Sequence, residues 1–287
     1  MPYTAHSQTE QDQMLRDIGV KSIDDLFADI PAAKRFDSRN WLPAQSEQEL
    51  LSELETLLDK NHTAKEQPSF IGGGYYRHFV PSIIDALVSR GEFLTAYTPY
   101  QPEVSQGTLQ VIFEFQSLLC RLTGMEIANA SLYDGATAVA EAVNLARSVN
   151  KRTKVAVSQN LHPRYIEVLK TYAWAASFQV DVLSEPQLQN LAGEYTAVVV
   201  AQPDFWGNVR EYQNVADRIH GLGGMFIVSV NPTSLALLKP PAEYGADVVV
   251  GEGQPLGIPV SMGGPAVGIF ATKKEFLRFI PGRIVGE

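Results

Sequence analysis

The sequence predicts an α/β fold of three layers: a mostly parallel β-sheet with helices on both faces. Three observations carry this. From about residue 155 onward, short apolar runs alternate with helix-patterned stretches, the rhythm of strand and crossover helix. Ala197-Val198-Val199-Val200-Ala201 is apolar at every position, and Met225 to Val230 nearly so, as expected of strands buried on both sides. The 287 residues, 45% of them hydrophobic, suffice for one large core.

The elements follow in order. Residues 1 to about 65 are polar and helical in pattern, predicting an N-terminal helical arm; residues 66–287 form the main domain. Ser22 precedes an acidic first turn, Asp24-Asp25, as a helix cap would. Glu47 to Lys60 carries leucine at 50, 51, 54, 57 and 58, a helical stripe, and Ser46 followed by Glu49 fits a capping box. The arm is expected to dock on the main domain or on a partner. Gly72-Gly73-Gly74 then opens a flexible turn before Tyr75-Tyr76-Arg77-His78. Ser105 to Thr123 reads as a long helix with an apolar stripe at 109, 112, 113, 119 and 122, closed by Gly124. A second helix is expected from near Ala136 to about Asn150. Strands are predicted at Val155–Val157, Phe178–Val182, Ala197–Ala201, Met225–Val230 and Asp247–Val250, and helices at Arg164–Ala175 and Val215–His220.

Composition narrows the function. A net charge of -9 disfavours nucleic acid and anionic membrane surfaces. Cys120 is the only cysteine, so no intrachain disulfide can form and a reducing, cytoplasmic setting fits. The start lacks a basic region followed by an apolar run, so no secretory signal is expected. No apolar run approaches the ~20 residues of a membrane span. No metal site is expected.

Ligands of such sheets bind at the carboxyl ends of the strands, and several motifs fall there. Asp134-Gly135-Ala136-Thr137 opens a helix. Its backbone N–H groups and the Thr137 hydroxyl could cradle a phosphate, or Asp134 could be a plain cap. The Asp134 carboxylate would repel a phosphate, which favours the cap. His162, in Asn160-Leu161-His162-Pro163, reads either as a helix-start residue or as a ring-stacking residue. Tyr97-Thr98-Pro99-Tyr100-Gln101 gathers tyrosines on a loop stiffened by Pro99 and Pro102. With Tyr76, Arg77 and His78 it forms either a packed structural loop or an interface, since tyrosine is a rigid anchor with a polar tip.

The stretch from Phe93 to Thr137, together with Asp247 to Gly268, resembles the glycine decarboxylase family, the P protein of the glycine cleavage system. The chain is similar to the alpha, N-terminal-type subunit found where that enzyme is divided in two, over about Gly19 to Glu287. The resemblance implies the large domain of fold-type I pyridoxal-phosphate transferases and part of glycine dehydrogenase (aminomethyl-transferring) activity. Glycine would be decarboxylated on pyridoxal phosphate, and the aminomethyl group passed to the lipoyl arm of H protein. The implied assembly is an alpha-two, beta-two tetramer whose beta-type subunit carries the cofactor lysine.

The sequence departs from a cofactor-binding member of that fold at two places. Where the resemblance implies an aspartate against the pyridine nitrogen, this chain has Ser229, which carries no charge. Where it implies a Schiff-base lysine, the chain reads Val250-Gly251-Glu252-Gly253-Gln254-Pro255, with no lysine from Pro240 to Thr272. Asp134, Gly135, Thr137, His162, Ser229 and Gln254 are therefore expected to be vestigial cofactor positions, with no cofactor bound covalently by this chain. Tyr97, Tyr100, Gln101, Arg77 and His78 are expected to wall the partner's active site. The rival expectations are a self-sufficient enzyme using a lysine such as Lys239, and an orphaned fragment serving only as a structural or interaction module. The resemblance also implies a smaller C-terminal domain beyond Glu287, so the chain is expected to be truncated.

Overall fold

A computed structural model describes residues 6–35, 42–63, 67–68, 70, 74, 76–94, 98–261 and 264–286. Two compact units result, residues 1–67 and 68–287.

The first unit holds two helices, α1 (Gln8–Ile18) and α2 (Glu47–Leu58), with a 3-10 turn at Ile23–Phe27 between them. The predicted capping box at Ser46 forms: the Ser46 N–H donates to Glu49 Oε2 at 2.8 Å, and the Glu49 N–H to Ser46 Oγ at 3.3 Å. Ser22 and Asp25 pair the same way. No residue of α1 or α2 is buried, so the leucine stripe of α2 is exposed.

The second unit begins with the short helices α3 (Ile83–Val88) and α4 (Gly91–Leu94), then the long α5 (Pro102–Thr123). This helix starts three residues before the expected Ser105. Pro102 sits in its first turn, where a missing N–H costs nothing, and Ser105 departs from helical backbone at φ -124°. The kink at Ser105 hides the true start from the apolar periodicity. Gly124 closes the helix at φ +74°.

The rest alternates as expected: β1 (Ile127–Ala128), α6 (Gly135–Asn150), β2 (Lys154–Ser158), α7 (Pro163–Ala175), β3 (Gln179–Leu183), α8 (Glu185–Gln189), β4 (Ala197–Gln202), α9 (Gln213–Gly221), β5 (Met225–Val230), β6 (Val248–Glu252) and β7 (Gly268–Thr272). One seven-stranded sheet runs in the order β1-β7-β6-β5-β4-β2-β3. The pairs from β6 to β3 are parallel, while β7 is antiparallel to both β6 and β1. This antiparallel edge was not predicted: β1 has only two residues, and Gly268–Thr272 carries no periodic signal.

Alternate strand residues feed opposite faces. Val198, Val200, Phe226 and Val228 pack with Leu119 of α5, Leu188 of α8 and Ile219 of α9. Val199, Ile227, Val248 and Val250 pack with Val139 and Val143 of α6 and Leu169 of α7. The layers are thus α5/α8/α9, sheet, α6/α7. The strand order reverses between β2 and β4, which opens a crevice beyond their carboxyl ends. No helix among the described residues is long and apolar enough to cross a membrane.

Candidate functional site

A cleft of about 400 Å³ lies at that reversal. Its walls are the ends of the four central parallel strands. Leu161 and His162 follow β2, Ala201 to Gly207 end β4 and its loop, Ser229 to Asn231 end β5, and Glu252 and Pro255 end β6. Gly74 and Tyr76 close one side.

His162 starts α7, and its Nδ1 accepts the Arg164 N–H at 3.1 Å. Tyr165 stacks on the ring at 5.0 Å and 20°, and Phe205 meets it edge-on at 4.8 Å. A Cβ on Gly74 would come within 2.9 Å of His162 Cδ2 and Nε2, so only glycine backbone fits there. The ring is both a helix cap and a member of an aromatic cluster.

The loop after β4 is held from within. Asp204 is buried and accepts the N–H groups of Trp206 at 3.0 Å and Asn208 at 2.9 Å, the Asn208 side-chain amide, and Arg210 Nε at 3.3 Å. Burial alone would push its carboxyl up; these donors outweigh burial and hold it below the usual carboxylate range. Phe205 is thereby fixed against His162.

Asp134 caps α6, taking the Thr137 N–H at 2.7 Å and the Thr137 hydroxyl at 2.8 Å. Neither residue is among those lining the cleft. Gly135 is required for close packing: a Cβ would sit 2.3 Å from Tyr165 Oη. Its N–H donates to Glu252 Oε2 at 3.0 Å. Glu252 Oε1 takes the N–H groups of Gln254 and Val267, each at 3.0 Å. Sequence reasoning passed over Glu252. The signal was there, a lone carboxylate closing an apolar strand, but its partners lie far away in the chain.

Ser229 is buried on β5, in register with Ala201 of β4 and Val250 of β6, and lines the cleft. Gln254 turns inward instead. Its Nε2 donates to the Ile258 carbonyl, and its Oε1 is buried with no hydrogen-bond partner among the described residues. No lysine is among the residues lining the cleft. Lys239 is exposed, 4.0 Å from Glu243, and Lys273 pairs with Asp247.

Of the tyrosine-bearing loop, residues 98–101 are not among those lining the cleft. Tyr97, Gly72, Gly73 and Tyr75 lie outside the described residues, as do Met262 and Gly263. Tyr100 is 71% exposed, with the Arg283 guanidinium 5.0 Å from its ring centroid. Arg283 also donates to the Pro99 carbonyl at 3.0 Å. Gln101 precedes α5 in extended backbone, and Arg77 is exposed. His78 is half-buried, its Nε2 without a hydrogen-bond partner among the described residues. The structure therefore gathers His162 and Ser229 in one cleft and leaves Tyr100 on the surface. Among the described residues no metal-ligating cluster occurs.

The sequence matches the family described as glycine cleavage system P-protein over residues 1–287. The probable glycine dehydrogenase (decarboxylating) subunit 1 of Anoxybacillus flavithermus is 47% identical over 294 residues, covering 99% of this chain and 66% of that protein. The protein of the same description from Listeria innocua is 49% identical over 290 residues, covering 97% and 65%. A crystal structure of glycine decarboxylase (P-protein) of the glycine cleavage system, in inhibitor-bound form, superposes with a TM-score of 0.88 at 45% identity, covering 99% of this chain and 65% of that one. The chain thus spans about two thirds of the length of the relatives it matches.

Proposed function

The chain belongs to the glycine cleavage system P-protein family, and from that premise we propose that it is the non-catalytic, alpha-type subunit of a two-component glycine decarboxylase. One observation carries the reading: among the described residues, none that lines the cleft at the carboxyl ends of the strands carries an amine. Pyridoxal phosphate, the cofactor the family implies, needs an amine for its covalent anchor and acts as an electron sink when bound. It also needs a charge at the ring nitrogen and a free anion seat. Here Ser229 stands on β5, and the start of α6 already holds the Glu252 and Asp134 carboxylates. The residues do not fit that cofactor.

On this reading the cofactor lies in a beta-type partner, within a cytoplasmic alpha-two, beta-two assembly that meets lipoylated H protein transiently. The alpha-type chain contributes a wall. The loop of Tyr97, Tyr100 and Gln101, backed by Arg77 and His78, would reach the partner's glycine site. Glycine offers only a carboxylate and an amine for recognition. Hydroxyl donors and a cation can hold that carboxylate in the orientation its departure as CO₂ requires, a contribution of several kcal/mol in well-oriented systems. Supporting this, Tyr100 is exposed yet held in place through Arg283, so little ordering would be needed on assembly.

Co-expression with a lysine-bearing beta-type chain tests the reading. The two are expected to co-purify and together to exchange CO₂ with the glycine carboxyl, with neither active alone. Failure to co-purify, while a full-length alpha-type control succeeds, would favour an orphaned structural module instead.

A further inference from the structure

We propose that Glu252 is a built-in anion: its carboxylate fills the anion seat at the start of α6 and closes the cleft to phosphorylated ligands. The start of a helix presents unpaired N–H groups and a partial positive charge, a natural seat for a phosphate or carboxylate. Helix α6 is 16 residues long, and its first N–H, from Gly135, points to Glu252. The same carboxylate collects two more backbone donors, Gln254 N–H in the turn after β6 and Val267 N–H just before β7. Three donors from three separate segments converge on one side chain that is 8% exposed.

This arrangement has the form of a phosphate cradle with the anion supplied by the protein. A phosphate ester entering the cleft would compete for the same N–H groups. It would also meet the charge of Glu252, which lines the cleft and is 8% exposed, and like charges repel strongly where water is partly excluded. Among the described residues the rest of the lining carries no acidic or basic side chain besides His162 and Asp204, whose carboxylate is committed to its own loop, and it includes the rings of Tyr76, His162, Tyr165 and Phe205. The cleft therefore suits uncharged or cationic planar ligands and rejects anionic ones.

The test uses the full 287-residue chain, inorganic phosphate as the probe, and thermal unfolding as the readout. Wild type, E252A and E252Q are compared in 20 mM phosphate and in chloride of matched ionic strength. Wild type is expected to show the same Tm in both. E252A is expected to unfold about 5 °C or more lower in chloride and to recover about half of that loss in phosphate, because the dianion takes over the orphaned donors. E252Q, whose side chain still occupies the space of the seat although its NH2 cannot accept the N–H groups on one side, should be destabilised in both buffers and gain nothing from phosphate. If E252A does not stay soluble in chloride, folded yield replaces Tm, and a yield restored only by phosphate supports the proposal. Equal behaviour of E252A in the two buffers, or an equal phosphate gain in wild type or E252Q, would overturn it.

Discussion

Lys273 donates to Asp247 at the amino-terminal edge of the sheet, at the opposite end of β6 from the cleft. The five residue steps from Asp247 to Glu252 rise by roughly 16 Å. The lysine that follows β7 is therefore committed to a buried carboxylate far from the strand ends where ligands bind. That relationship keeps Lys273 away from the cleft and supports the proposed reading of a subunit without a covalent cofactor.

The chain is accordingly expected to form no internal aldimine. Incubation with pyridoxal phosphate, borohydride reduction and peptide mapping should leave every lysine untagged at stoichiometric level, Lys239 and Lys273 included. A single lysine peptide tagged near one equivalent would restore the rival reading.

Asp247 makes a pH prediction. Burial would push its carboxyl up, but hydrogen bonds from His220, Lys273 and the Phe226 N–H outweigh burial and hold it low. An unfolded aspartate titrates near ~3.9. The folded value lies below that, so the stability Asp247 contributes is fully present above about pH 4 and is lost as pH falls through the folded value. D247N should cost about 3 kcal/mol at pH 7, because it leaves His220 and Lys273 facing a neutral amide. It should also flatten the loss of stability below pH 4. Urea unfolding of both proteins at pH 7 and pH 3 measures the two effects; parallel acid limbs would count against the assignment.

Gly268 is where the start of α6 meets the sheet. A Cβ there would lie 2.3 Å from the Asp134 carbonyl oxygen, and the Gly268 N–H and carbonyl are both bonded to Leu132. Gly268→Ala is expected to destabilise by about 2–3 kcal/mol through overpacking. Gly107→Ala, at an exposed position near the start of α5 with nothing near its Cβ, should be neutral or stabilising by up to about 1 kcal/mol. Equal denaturation midpoints for the two variants would contradict this.

The tyrosine loop is tested in the assembled enzyme. Changing Tyr97 and Tyr100 together to Phe should leave assembly intact, since ring packing survives. It should lower glycine turnover at least about tenfold, or ~1.4 kcal/mol of barrier. Arg283→Ala, which removes the cation beside Tyr100 and the bond to the Pro99 carbonyl, should lower turnover in the same direction without shifting Tm by more than about 2 °C. Exchange of CO₂ with glycine at the parental rate in both would make the loop structural only.

Much of the fold was legible because its determinants are local. A capping box is decided by residues three apart, so Ser46 and Glu49 announce α2 directly. A strand buried on both faces must be apolar throughout, so β4 and β5 stand out, and Met225–Val230 was placed to the residue. The antiparallel β1 and β7 escaped notice because a two-residue strand has no period and an edge pairing is a choice between partners, not a pattern.

For the site, the sequence by itself determined which chemistry is missing: with no lysine from Pro240 to Thr272, no fold can bring one in from that segment. What stands in its place was a tertiary decision. Gly135 and Glu252 are 117 residues apart, and Glu252 meets three N–H groups only once α6, the turn after β6 and the start of β7 have converged. His162 likewise reads the same in sequence as cap or as ring-stacker; packing against Tyr165, Phe205 and Gly74 is what makes it a cap within an aromatic cluster. Absence of a functional group is a property of composition, whereas the partner of a buried donor is a property of the folded chain, since a buried N–H takes whichever acceptor the fold sets beside it.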